Sequence, residues 1–201
     1  MATLYHVPTS RSLRVLWTLE EIGATVEEID LDLSSARTAF LALRGLWFVT
    51  HMTPRLDQQS RFGVNVDNNV RAGLETTTRD LALAEHERGR LWKRFRDLFA
   101  RYDYVVTPCM AVPPFDVEQN YPDSIAGKKM VNYVDWIAPT FVLSLTALPV
   151  AAVPAGLDRS GLPVGLQLVG RPRAEETVLA LAHSIQQLRP RPKLPSRSQD
   201  W

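Results

Sequence analysis

Residues 148–176 read LPVAAVPAGLDRSGLPVGLQLVGRPRAEE. Two apolar runs, Val150–Val153 and Val164–Val169, flank a turn rich in Gly, Asp and Ser, the pattern of paired strands joined by a reversal. Gly165 and Gly170 bracket the second run. Acidic residues then open a helix predicted over 174–188, with Val178, Leu181, Ala182 and Ile185 facing inward.

Upstream, residues 3–7 predict a short strand stopped by Pro8, and Thr9-Ser10 can cap a helix bearing Leu13, Leu16, Trp17, Leu19 and Ile22. Gly23 ends that helix and residues 25–31 alternate like a strand. Strand, helix and strand in close succession form a βαβ start, which favours an α/β fold. A second helix is predicted over 35–48, where Ala36, Ala39, Phe40, Leu43, Leu46 and Trp47 recur at helical spacing. Residues 50–78 are polar, contain Pro54 and Asp67-Asn68-Asn69, and read as loop with short helical pieces. The clearest helix covers 78–101, its buried stripe formed by Leu91, Trp92, Phe95, Leu98 and Phe99. A strand at 104–107 follows, ended by Pro108. Residues 109–138 form a long, proline-containing connection that includes the basic pair Lys128-Lys129, and a further helix begins at 141–145. Residues 189–201, RPRPKLPSRSQDW, are Pro-rich and basic and are expected to be disordered.

Composition narrows the functional classes. The chain has 201 residues, 45% hydrophobic, enough to bury a sizeable core, and a net charge of +1 with basic and acidic residues interleaved. No phosphate-tracking stripe is evident, so no nucleic-acid partner is expected. No apolar run of about 18 residues is present to span a bilayer. The N-terminus lacks a basic segment followed by an apolar one, and one cysteine fits a reducing compartment, so a cytoplasmic location is expected. His6, His51, His86 and His183 are scattered without metal-ligand spacing, and neither a metal nor another cofactor is expected.

Beyond these patterns, the closing segment VNYVDWIAPTFVLSLTALPVAAVPAGLDRSGLPVGLQLVGRP resembles the C-terminal core of the amidase signature family. LEEIGATVEEIDLDL and AFLALRGLWF look like that family's helix–strand step and substrate-side helix, and RYDYVVTPCMAVPPF like the strand that delivers a Pro-rich loop near the substrate. The resemblance covers roughly residues 19–188. It implies a partial amidase-signature fold, a mixed twisted sheet flanked by helices, and descent among enzymes that hydrolyse amide (C–N) bonds. It also implies that Cys109 and Met110, with Trp136 from the following connection, shape a cavity for a small-molecule amide substrate. From the residues alone, Cys109 reads instead as a small buried hydrophobe.

ATLYHVPTSRSLRVLWTLEEIG is similar instead to the opening strand and helix of the glutathione transferase N-terminal domain. That resemblance implies that Ser10 contacts the glutathione sulfur at a helix N-terminus, while the residue alone is also a plain helix cap. The two resemblances meet at Leu19–Gly23, so the chain divides into a leader (1–23), an amidase-like portion (24–188) and a tail (189–201).

The hydrolytic chemistry of the amidase family requires a Ser nucleophile on a Gly/Ser-rich loop, a bridging Ser and a desolvated, neutral Lys. A Lys at its unperturbed pKa of about 10.4 is protonated and cannot accept a proton. The ten glycines of this chain are isolated from one another and no Gly-Ser-Ser occurs. Its four lysines are Lys93 on an amphipathic helix, Lys128 and Lys129 in a loop, and Lys193 in the tail, none in an apolar setting. The expectation is a fragment that lacks the Ser-Ser-Lys catalytic segment, inactive by itself, whose exposed sheet edges favour self-association or pairing with another chain. A glutathione-binding protein using Ser10, or a non-enzymatic partner of another chain, are the alternatives.

Overall fold

The computed structural model describes residues 2–4, 23 and 25–188 and divides into a sheet unit and a helical unit. The sheet unit takes in the described parts of Met1–Ile29, Tyr102–Gln119 and Leu148–Trp201; the helical unit is Asp30–Arg101 with Asn120–Ala147. The helix expected after Pro8, Ser10 with it, and the tail 189–201 lie outside the described residues.

Five strands build the sheet: β1 (Ala2–Leu4), β2 (Val26–Glu28), β3 (Tyr104–Pro108), β6 (Val150–Leu157) and β7 (Pro163–Val169), ordered β2-β1-β3-β7-β6. β1 runs parallel to both β2 and β3, whereas β7 is antiparallel to β3 and β6, so the sheet is mixed. β1 comes from the segment that reads as a transferase-like leader, and it hydrogen-bonds between β2 and β3. The predicted strand at 25–31 is shorter than expected.

The β6–β7 hairpin is longer than its two apolar runs. Pro154 lies inside β6, where a missing N–H is tolerated because β6 is an outer strand among the described residues, and a bulge falls between Pro154 and Gly156. At the reversal Asp158 Oδ1 accepts from the N–H groups of Ser160 (2.7 Å) and Leu162 (2.9 Å), and Gly161 takes the left-handed φ of 78° that closes the loop. Side chains then alternate across β7. Leu166 and Leu168 join Val106 and Val153 under α5 (Glu175–Leu188), which contributes Val178, Ala182 and Ile185, as its periodicity predicts. Gln167 and Val169, paired with Thr107 and Val105, point to the opposite face. Gly170 sits where a Cβ would lie 2.3 Å from Val178 Cγ2, so its bareness lets α5 approach the end of β7.

The helical unit contains α1 (Ala36–Met52), a 3-10 stretch (Thr53–Arg61), α2 (Val64–Glu75), α3 (Thr78–Phe99), the short strands β4 (Ser124–Ile125) and β5 (Lys128–Lys129), a 3-10 turn (Asp135–Ile137) and α4 (Ala138–Ser144). The loop expected over 50–78 is therefore largely helical. Asp67, in the first turn of α2, accepts from Arg71 one turn on (2.7 Å) and from Gln59 (2.7 Å), and Val70 is fully buried. The stripe of α2 escapes a periodicity reading because Val70 is followed by Gly73, whose contact is a backbone rather than a large side chain. A Cβ on Gly73 would lie 2.3 Å from the Gly45 carbonyl oxygen of α1.

α3 starts with a full capping box, the Thr77 hydroxyl accepting from the Asp80 N–H and the Asp80 carboxylate from the Thr77 N–H. Its core stripe is Ala84, Leu91, Phe95 and Phe99; Trp92, expected inside, is 39% exposed. Likewise Leu46 and Trp47 of α1 are exposed, and Gly45 and Phe48 are buried in their stead. Three- and four-residue spacings leave the stripe's flanks open, and the Gly45–Gly73 approach decides which flank of α1 is covered. Lys128 and Lys129 form β5 rather than loop, joined to β4 through Ala126 (φ 50°) and Gly127 (φ 79°), the two-residue turn of a tight hairpin.

Candidate substrate-side site

The end of β3 and the start of the connection after it place Thr107, Pro108, Cys109 and Met110. The Cys109 N–H donates to the Gly165 carbonyl at 3.0 Å, extending the β3–β7 ladder by one residue. Side-chain alternation then puts Cys109 over Gly165, where a Cβ would come within 2.8 Å of the Cys109 Sγ. Gly165 thus exists to admit the thiol. Burial pushes the Cys109 thiol up from its ordinary value, so it stays protonated at neutral pH and is a poor nucleophile. Met110, the next residue, is 39% exposed.

Gln167 orients this strand end. Its buried amide Nε2 donates to Thr107 Oγ1 (3.0 Å) and to the Pro108 carbonyl (3.0 Å), so the peptide that delivers Cys109 is held from β7. Gln167 was not anticipated as a site residue. The available signal was a lone amide inside the apolar run Leu166–Val169.

Trp136 belongs to the helical unit, in the 3-10 turn Asp135–Ile137, and is half-buried. Both sides of that turn are tied down. Asn132 Oδ1 accepts from the N–H groups of Val134 (2.9 Å) and Asp135 (3.1 Å), and Arg37 of α1 grips the Asp135 carboxylate through Nε (2.6 Å) and Nη2 (3.3 Å). Arg44, two turns along α1, donates to the Tyr133 hydroxyl and to Asn69 Oδ1 (3.0 Å), with its guanidinium carbon 4.8 Å from the Phe48 ring centroid. Neither arginine is legible as a positioning residue in the sequence, since Asp135, Tyr133 and Asn69 lie far from them along the chain.

Three of the four lysines are described, Lys93 on α3 and Lys128 and Lys129 on β5, and all three are exposed. The arginines Arg88, Arg90, Arg94 and Arg96 of α3 occupy its solvated side, each within an ion pair to a nearby carboxylate. Among the described residues, no group of three or more His, Cys, Asp or Glu side chains could hold a metal ion. No helix among them is long and apolar enough to cross a membrane.

The chain is similar to several known proteins. The chain is 29% identical over 172 residues to a fatty acid amide hydrolase of Medicago truncatula, a match that takes in 81% of this chain and 27% of that protein. It is 38% identical over 104 residues to a glutamyl-tRNA(Gln) amidotransferase subunit of Brevibacillus brevis, covering 52% of this chain and 20% of the relative. Among solved structures, a bacterial aryl acylamidase of the amidase signature enzymes superposes with a TM-score of 0.77 at 19% identity, over 94% of this chain and 43% of that one. The chain therefore spans under a third of the length of these two sequence relatives, and its α/β architecture is that of part of the amidase signature fold. The model of the family described as Amidase matches residues 5–179, starting inside the transferase-like leader, which the comparisons do not support. Matched along most of its length by that model, the chain belongs to the Amidase family.

Proposed function

We propose that these 201 residues are the substrate-side portion of an amide (C–N) hydrolase, inactive as an isolated polypeptide and completed by a catalytic portion that supplies the Ser-Ser-Lys segment. The observation that carries this reading is the pairing of a family match over residues 5–179 with a sequence in which no Gly/Ser-rich nucleophile loop occurs. The exposure of Lys93, Lys128 and Lys129 supports it, because a general-base lysine must be desolvated to lose its proton. Cys109 and Met110, at the end of β3, line the substrate cavity. The substrate is a small amide, in keeping with relatives named for fatty acid amides. With its single cysteine the protein works in the reducing cytoplasm. Pairing with the catalytic portion proceeds through the outer strands of the sheet.

The test is ammonia release from primary amides by the purified chain, alone and mixed with the catalytic portion of a fatty acid amide hydrolase. The expected result is no turnover alone, turnover in the mixture, and an altered KM for Met110→Trp. Turnover by the chain alone sinks the reading, and an unchanged KM sinks the assignment of Met110. A second reading, a non-enzymatic partner of another chain, draws on the relative that is named as one part of an amidotransferase; co-purification with a second polypeptide without any gain of amide turnover favours it. The glutathione reading through Ser10 has no observation in its favour; retention on immobilised glutathione, lost in Ser10→Ala, would revive it.

A further inference from the structure

We propose that a depression on the outer side of α3, between Arg88, Trp92 and Lys93, is a binding site for a small aromatic carboxylate. Glu85, Arg88, Gly89, Trp92 and Lys93 stand one turn apart along a single face of α3, and Thr146, just after α4, closes the depression from the side. Its volume is about 290 Å³, at the lower end of the range for small-molecule sites and suited to a ligand of one ring.

Three features point to this class of ligand. Trp92 is 39% exposed although Leu91 and Phe95 beside it are only 1% and 2% exposed, so a large aromatic face stands at the rim. An indole in that position stacks on a planar ring. Gly89, midway along the helix, is the floor. Glycine is unfavourable in an exposed helix interior, and here no neighbour requires it, because an added Cβ would meet nothing within 4 Å. This separates Gly89 from Gly73 and Gly165, whose bareness is consumed by protein contacts. A bare helix surface beside an exposed indole is instead open to a ligand.

The charge balance sets the ligand's sign. Arg88 Nε (2.9 Å) and Nη2 (2.6 Å) both donate to Glu85 Oε2, so these two charges offset one another. Lys93 makes no ion pair among the described residues, and the depression keeps a net positive charge. A carboxylate on a ring stacked against Trp92 meets that ammonium group and the remaining Nη1 of Arg88.

The test is titration of the full chain with benzoate and with its neutral counterpart benzamide, followed by calorimetry or ligand-observed NMR. Benzoate should bind saturably at one site with a Kd on the order of 1 mM or below, and benzamide about tenfold more weakly. Lys93→Gln should weaken benzoate about fivefold or more while leaving benzamide unchanged. Gly89→Leu should abolish binding of both and leave the thermal midpoint equal or higher, because the position is open and leucine is a better helix former. If Gly89→Leu disturbs folding, Trp92→Ala replaces it, with the same expected loss of binding. Equal affinity for benzoate and benzamide, no saturation by about 10 mM benzoate, or unaltered binding in both Gly89→Leu and Trp92→Ala overturns the proposal. None of these results depends on amide turnover, so the site stands or falls apart from the hydrolase reading.

Discussion

Replacing Gly165 by alanine isolates the contact that seats the candidate substrate wall. The new Cβ would stand 2.8 Å from Cys109 Sγ and 3.3 Å from Cys109 Cβ. Non-bonded heavy atoms are at ease at about 3.5–4.0 Å, so the thiol must retreat by roughly 1 Å, and a change of its χ1 leaves the tight Cβ contact in place because the Cys109 backbone is held by the Gly165 carbonyl at 3.0 Å. Overpacking of this kind costs about 1–3 kcal/mol, and relief of glycine's backbone entropy in a strand returns about 0.5–1 kcal/mol. Gly165→Ala should therefore destabilise by about 1–2 kcal/mol, a fall of a few degrees in thermal midpoint for a chain of this size. Cys109→Ala removes the sulfur and should lose up to about 1 kcal/mol from the missing buried atom. The double variant should be more stable than the sum of the two predicts, by about 1 kcal/mol or more, because the clash is absent. Urea unfolding followed by circular dichroism, with a common m-value, reads all four corners of the cycle. Additivity within about 0.3 kcal/mol, or a Gly165→Ala variant as stable as the parent, would refute the view that Gly165 is there to admit Cys109.

Three further outcomes follow from other contacts. Gly73→Ala, which drives a Cβ to 2.3 Å from the Gly45 carbonyl oxygen and 2.7 Å from Val49 Cγ2, should cost about 2 kcal/mol or more, whereas Gly89→Ala in open space should gain about 0.5–1 kcal/mol; opposite signs in parallel melts are the check. Thr77→Ala breaks the capping box of α3 and should cost about 1 kcal/mol by urea unfolding, with Thr77→Ser retaining most of it. Because burial raises the Cys109 thiol, the folded state holds its proton longer than the unfolded one. The resulting stability is fully present below the ordinary value of 9.0 and is lost as pH climbs above it towards the raised one. The parent should thus lose stability over that range more steeply than Cys109→Ala, and native Cys109 should react with iodoacetamide more slowly at pH 8 than the unfolded chain. Equal slopes, or equal alkylation rates, contradict the burial assigned to this thiol.

Local pattern determined much of this protein. The β6–β7 hairpin, the strand ending at Pro108, and the inward stripes of α3 and α5 follow from apolar spacing, turn residues and caps, each a property of neighbours along the chain. The motifs within 148–176 also pointed to the family that the comparisons establish, and the strand end that carries Cys109 and Met110 was legible from Thr107-Pro108. Tertiary structure decided the rest. α2 stayed hidden because its packing surface is Val70 beside a bare Gly73, and the value of a glycine depends on which backbone approaches it. Trp47 and Trp92 fit the inward side by spacing yet stand exposed, since helical periodicity defines a stripe but not how far a neighbour covers its flanks. The hold of Gln167 on Pro108, and of Arg37 on Asp135, joins residues far apart in sequence. Spacing along a chain encodes which way a side chain points, and only folding brings its partner within reach.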